Sequence, residues 1–212
     1  PLAGKGTQGS ILAKHLKIPH LSVGDFLRKR ALVGDDFAKH LNRIMTNGEL
    51  LNTADTIQII KEHLDVIDIS NGFVLDGFPR NIEQAKAYQS FLTEYGINQN
   101  IVIYIELSEA EARLRLNGRY ICTNCGASYN ITDPTLAPKI KDICDQCGSK
   151  LKHRIDDNMS SLNKRFDLYY QQTEPLVDYY ENLKVPLIKL NGTWGKEMIT
   201  KKIINYFEVN ND

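Results

Sequence analysis

Four cysteines fall in one short stretch, as CTNC at Cys122 and Cys125 and CDQC at Cys144 and Cys147. Two such knuckles, with eighteen residues between them, can bring four thiolates around one ion. Tetrahedral sulfur ligation of this kind is the chemistry of structural zinc. Four thiolates close the shell, so no open catalytic position is expected and His153 is a spare ligand. Arginines flank the knuckles: Arg115 and Arg119 just before, Arg154 just after, Arg165 further on. Guanidinium forks grip phosphates bidentately, so arginines bracketing a small insertion would surround a polyphosphate when it closes. The same residues would also fit a solvated basic face, Arg115 best of all.

A second set of residues suits the same chemistry. The chain opens PLAGKGTQG. In the phosphate-loop pattern G-x-x-x-x-G-K-S/T, backbone N–H groups cradle phosphates and the lysine reaches the outer ones. Gly4 and Lys5 can be the closing pair, with Gly6 and then Thr7 setting the hydroxyl one place late. The reading expects the pattern's first glycine and a buried strand ahead of Pro1. LDGFPR places Asp76 at a strand end, where an acid beside such a loop can hold the water shell of Mg2+. Arg80 follows on a turn set by Gly77 and Pro79, and Arg28 follows GDFL after another strand. Two arginines at strand ends would suit a second phosphate group, and Gln84, one helical turn past Arg80, could hydrogen-bond a base.

The elements that must position these residues alternate. Residues 7–17 read as a helix ended by Pro19, and PHLSV as a short strand. Two short helices follow, broken at Gly34 and Gly48, then a helix in TADTIQIIKEHL and a strand in GFVLD. Residues 81–95 are helical, IVIYIEL is a continuous apolar strand, and Ser108 with Glu111 predicts a capping box for the next helix. From about 119 to 153 the periodicity gives way to Gly, Pro, Asn and Cys. A helix resumes near Asp157 and runs past Tyr180, VPLIKL is a last strand, and the segment after it a last helix. Alternation on both sides of a small insertion predicts an α/β fold: a P-loop nucleoside triphosphate hydrolase-like parallel sheet with helices on both faces and an inserted zinc-ribbon lid. The expected division is a core in 1–118, with acceptor-site helices at about 23–52, a lid in 119–153, and the rest of the core in 154–212.

The 212 residues carry 26 basic and 26 acidic side chains, for a net charge of zero and a pI near 7.3. That balance gives no case for a general nucleic-acid or membrane-surface partner. No apolar run reaches the length of a membrane span, and no signal peptide is visible. Clustered cysteines argue for metal over a disulfide framework. A cytoplasmic monomer acting on small molecules is the expectation.

In their order, GKGTQ, SVGDFLR, MTNGELL, LDGFPRNIEQA, NGR, the double knuckle, RIDD and NKRFDLYYQQTEPL resemble the adenylate kinase family in its long form with a zinc-bearing lid. The resemblance runs nearly the whole length. It implies reversible in-line phosphoryl transfer from ATP to AMP, giving two ADP, under a closing lid. It implies that Gly4, Lys5, Gly6 and Thr7 cradle ATP together with Arg119. Val23, Arg28, Leu50, Leu51, Gly77, Arg80, Gln84, Arg154 and Arg165 would hold AMP, and Arg119, Arg154 and Arg165 would close on the transferring group, with Lys5 and Arg80 completing the catalytic charges. Asp76 would orient Mg2+ through water, and Asp156 and Asp157 would belong to the lid hinge. An adenine contact would fall on the NGTWG turn. Three departures stand out: Leu2 where the family has glycine, Val23 where it has threonine, and LLNTAD after Glu49. They keep three other readings open: a UMP/CMP kinase, a binding paralogue damaged at Leu2, and a P-loop switch whose zinc ribbon recognises a protein or nucleic acid.

Overall fold

The computed structural model describes residues 1–98, 101–154 and 157–209. In chain order the elements are α1 (Lys5–Leu16), β1 (His20–Ser22), α2 (Val23–Arg30), α3 (Asp36–Asn47), α4 (Thr53–Leu64), β2 (Val74–Asp76), α5 (Ile82–Glu94), β3 (Val102–Glu106) and α6 (Glu109–Asn117). There follow β4 (Arg119–Cys122), β5 (Ser128–Asn130), β6 (Leu151–Lys152), α7 (Met159–Leu168), α8 (Leu176–Asn182), β7 (Leu187–Asn191) and α9 (Lys196–Val209). A π-helical turn, Tyr169–Thr173, joins α7 to α8.

Most helix starts are written locally. Ser22, Asp35, Asn52, Asn81, Ser108 and Asn158 each accept a backbone N–H from the third residue on, which satisfies a donor the helix itself leaves open. The predicted capping box is only half formed. Ser108 accepts the Glu111 N–H, but the Glu111 carboxylate turns to Arg115, whose Nε lies at 3.1 Å. An ion pair within one helix face outcompetes the return bond to the cap. At α1 the N-cap is Gly4, which has no side chain to cap with. The first-turn N–H groups of α1 therefore remain available to an anion.

Among the described residues, β1 pairs in parallel with β2 and β3 with β7, while β5, β4 and β6 form a separate antiparallel sheet. No strand ladder among these residues joins the two parallel pairs; Val74 and Ile103 both face the cleft between them. Leu21, Val23, Ile60, Phe78 and Phe91 pack beneath β1 and β2. Ala3, Leu12, Ile105, Leu190, Ile199 and Ile203 bind α1 to β3, β7 and α9. Polar contacts lock the same junction: Gln8 Nε2 donates to the Lys196 carbonyl at 3.0 Å, and Thr200 Oγ1 donates to Gln8 Oε1 at 2.8 Å. At the C-cap of α3, Gly48 takes φ 72° against α7, so close that a Cβ there would stand 2.7 Å from the Ser161 carbonyl oxygen.

The single long helix expected after Asp157 is instead α7, the π-helical turn and α8. Glu174 N–H reaches the Tyr169 carbonyl, five residues back, at 2.8 Å, and Pro175, which has no N–H, comes next.

Candidate active site

One side of the site is built on the start of α1. Gly4 takes φ 86°, a left-handed geometry that suits glycine, and Leu2 also takes positive φ, 56°. The cost at Leu2 is offset by packing, because its side chain joins Ala112, Leu116, Leu162 and Phe166. The departure at this position is thus anchored in a core cluster. Lys5 reaches the solvent of the cleft yet is walled by protein. Burial lowers its pKa from the ordinary lysine value; nearby Asp76 opposes the shift, and Arg80 and Arg165 add to it. Asp76 closes β2 directly beneath this loop: a Cβ on Gly6 would lie 3.2 Å from its Oδ2, and His20 Nε2 is 4.0 Å from the same oxygen. A carboxylate there has the hard oxygen donors that suit Mg2+.

A second group gathers on the turn after β2. Arg80 Nε donates to the Gly77 carbonyl at 2.9 Å, and the Arg80 backbone N–H donates to Gln84 Oε1 at 2.8 Å. Gly77 itself takes φ 82°. Burial, with Arg165 next in weight, brings the Arg80 guanidinium down to about 10; Asp76 opposes. Gln84 is 3 % exposed and borders the cleft, and its amide oxygen is engaged by the Arg80 N–H. Exchanging the two ends of this amide by rotation would break that bond. Arg28 pairs with Asp25 on α2. Val23 and Leu51 are buried, 3 % and 5 % exposed, and Leu50 is half-buried.

The third group comes from the antiparallel sheet and α7. Arg119 begins β4 and Arg165 lies on α7. Their guanidinium groups meet the Asp157 carboxylate, Arg119 Nε at 3.4 Å from Oδ2 and Arg165 Nη1 at 3.8 Å from Oδ1. Arg154 lines the same space. Asp156, read as a hinge residue, lies outside the described residues. Arg115, which the sequence favoured least, is built into the wall: its Nη2 donates to the Gly192 carbonyl at 2.8 Å, on the NGTWG turn. A fork reaching 77 residues along the chain leaves no local signal.

Cys122 ends β4, and Cys125, Cys144 and Cys147 lie in the turns beside the antiparallel sheet. The Sγ atoms of Cys122, Cys125, Cys144 and Cys147 all lie within 4.8 Å of one another, with Cys122–Cys147 at 3.4 Å and Cys125–Cys144 at 3.5 Å. Four thiolates around a zinc at about 2.3 Å would stand roughly 3.8 Å apart, so the donor set fits that metal. Apart from cysteines, the buried cluster here holds only Tyr129 and Leu151. Two such side chains contribute about 1.5–3 kcal/mol each, against an ordering cost of about 1–2 kcal/mol for every residue fixed. A metal is what can close that gap.

One cleft of about 1660 Å³ takes in Gly4, Lys5, Gly6, Thr7, Val23, Arg28, Leu50, Leu51, Asp76, Gly77, Arg80, Gln84, Arg119, Arg154 and Arg165. Of the residues singled out from sequence as metal ligands, Cys125 also touches it. The cleft is rich in fixed cations and has one acid beside an uncapped helix start. These features define a nucleotide-binding α/β phosphotransferase of the P-loop kind. The profile of the adenylate kinase family matches residues 1–185. The chain is 38 % identical over 205 residues to the adenylate kinase of Thermosipho africanus, covering 97 % of this chain and 94 % of that one. It is 40 % identical over 182 residues to that of Ruminiclostridium cellulolyticum, covering 85 % and 84 %, and 41 % identical over 193 residues to that of Desulforamulus reducens, covering 91 % and 89 %. The chain belongs to the adenylate kinase family.

Proposed function

We propose that this enzyme transfers the terminal phosphoryl group of ATP to AMP, with the work divided among the residues gathered in the cleft. Gly4, Lys5, Gly6 and Thr7 hold the donor phosphates at the start of α1, with Arg119. Arg28 and Arg80 hold the acceptor phosphate, and Gln84, Val23, Gly77, Leu50 and Leu51 form the base side. Asp76 holds Mg2+ through its water shell; the bound ion supplies charge neutralisation to the phosphate oxygens. Arg119, Arg154 and Arg165 surround the group in transit, and the zinc-bearing segment 119–153 acts as the lid that excludes water. Phosphoryl transfer needs two phosphate cradles in line and positive charge between them, with little acid or base chemistry.

The observation that carries this reading is the convergence of six cations from six separate segments, Lys5, Arg28, Arg80, Arg119, Arg154 and Arg165, on one cleft. A protein that used a nucleotide only as a switch would need one phosphate cradle, and Arg28, Arg80 and Gln84 would serve no purpose. Formation of ADP from ATP and AMP, followed by a coupled assay, tests the proposal; absence of AMP-dependent turnover would overturn it. AMP is favoured over UMP as acceptor: with its oxygen engaged by the Arg80 N–H, Gln84 has an NH2 to offer, which suits adenine N1, whereas uracil presents an N3–H at its ring edge and could accept only through its carbonyls. The chemistry requires only small-molecule nucleotides as partners and is complete in one chain acting in the cytoplasm. Among the described residues, no helix is long and apolar enough to cross a membrane.

A further inference from the structure

The π-helical turn Tyr169–Thr173 has no part in the cleft chemistry assigned to the arginines, yet it touches one of them. Thr173 Oγ1 donates to the Arg80 carbonyl at 2.7 Å. Beside it, Asn81 Nδ2 reaches Gln172 Oε1 at 3.4 Å, and Tyr169 and Tyr104 share a hydroxyl–hydroxyl contact. Arg80 is held at three points. Two of these, Gly77 and Gln84, belong to its own turn and the helix it opens, so they would travel with it. Thr173 is 93 residues away in sequence and ties that turn to a different part of the molecule.

That part carries Arg165. It lies on α7, eight residues before Thr173 along one continuous helical backbone, a path of about 12 Å at 1.5 Å per residue. Fixing Thr173 on Arg80 therefore fixes the distance between the segment bearing Arg80 and the segment bearing Arg165. Arg165 is close enough to disfavour the charge on Arg80, an effect that Asp76 opposes, and Arg165 itself faces the Asp157 carboxylate at 3.8 Å. Each cation is thus balanced by an acid on its own side, and the spacing of the two segments is set by the backbone tie. The Glu174 N–H bond to the Tyr169 carbonyl widens the helical path over Tyr169–Thr173, and Thr173, at the end of that turn, meets the Arg80 carbonyl. We infer that Thr173 is a positioning residue, which holds the Arg80 turn at a set spacing from Arg165 so that one phosphate fits both.

The inference rests on the acceptor reading of Arg80. The test uses the full chain with ATP saturating, and measures kcat and KM for AMP, KM for ATP, AMP affinity by calorimetry, and Tm. Thr173→Val keeps the shape and removes the donor; Thr173→Ser keeps the donor. Thr173→Val is expected to lower kcat/KM for AMP by roughly tenfold, the scale of one lost hydrogen bond, with KM for ATP within about twofold. Thr173→Ser should recover most of the loss. A Thr173→Val enzyme with unchanged kcat/KM for AMP would overturn the inference. So would a loss that serine does not rescue, or one shared equally by ATP. Thr173→Ala reads the same quantity with less steric demand; if both variants fail to fold, Thr173 is structural and the assignment falls. Arg80→Lys separates the two layers: if it leaves AMP affinity intact, the acceptor reading itself has failed, whatever the Thr173 variants do.

Discussion

Arg119 and Asp157 meet where the antiparallel sheet joins the core, with Arg119 Nε 3.4 Å from an Asp157 carboxylate whose side chain is 1 % exposed. Arg165 approaches the other oxygen at 3.8 Å. One buried acid thus aims two arginines that arrive from different elements, and a fork held in this way loses little freedom when it meets a phosphate. Arg119→Ala is expected to reduce kcat by about 10²–10³-fold, the scale of one lost donor to a developing charge. KM for AMP should change by only a few-fold, because a contact made chiefly in the transition state is read in kcat. Steady-state kinetics decide the matter; a near-normal kcat would place this guanidinium outside the reaction.

The metal cluster gives a second test. Elemental analysis should find one zinc per chain, held by Cys122, Cys125, Cys144 and Cys147. Cys144→Ser should lose it and lower Tm, since two buried side chains cannot hold the sheet together alone. ATP affinity should change far less than Tm does, because the α1 loop rests on a different cluster. Zinc retained by a variant with all four cysteines replaced by serine would show the ligands to be elsewhere.

The lowered pKa of Lys5 has a signed consequence. Its ordinary value is 10.5, and burial is the largest cause of the shift. In the free enzyme the lysine loses its proton at a lower pH than an exposed one. The alkaline fall in kcat/KM for ATP should therefore begin below 10.5. In kcat at saturating ATP the fall should come later, since donor phosphates favour the charged form. Between the folded and unfolded values the unfolded chain binds more protons, so the unliganded protein gains stability there as pH rises. Paired pH–rate profiles check the first statement, and Tm against pH, with and without ADP, checks the second.

Val23 lies in the core beside Leu21, Ile60 and Phe78 and also borders the cleft. A hydroxyl at this position would add a polar choice next to the base. Val23→Thr is expected to raise kcat/KM for AMP relative to CMP by a few-fold to about tenfold. Matched acceptor titrations on both proteins measure it. If CMP outruns AMP in the natural protein, the acceptor base is a pyrimidine. If the ratio does not move, selection lies in the backbone around Leu50 and Leu51.

What could be read in advance was the chemistry carried by neighbouring residues. Gly4 with Lys5, Asp76 through Arg80, and the paired knuckles are short runs whose residue types suggest a use, and the helix cap at Ser108 is equally local. The turn at Tyr169–Thr173 was not legible, because its register is set against Tyr104 and Arg80, which are distant in sequence. The engagement of Gln84 by the Arg80 N–H was hidden for a related reason: the two are neighbours, but the direction of an amide depends on the turn between them. Glu111 offered two partners of similar appeal, the cap and Arg115, and propensity could not rank them. At Leu2 the sequence showed a misfit with the family, and only the cluster around Phe166 explains how it is accommodated.

The link from Gln8 to Lys196 and Thr200 governs the order in which the nascent protein becomes competent. The two ends of that link are 188 residues apart. At ribosomal rates of about 5–20 residues per second, roughly ten to forty seconds pass between their emergence. All the pairings of the cysteine-bearing sheet lie between Arg119 and Lys152, so it can take its metal and fold while α9 is still unmade. Helix α1, made first, waits longest for its support, and a ribosome-bound chain lacking α9 should hold zinc before it can hold a nucleotide.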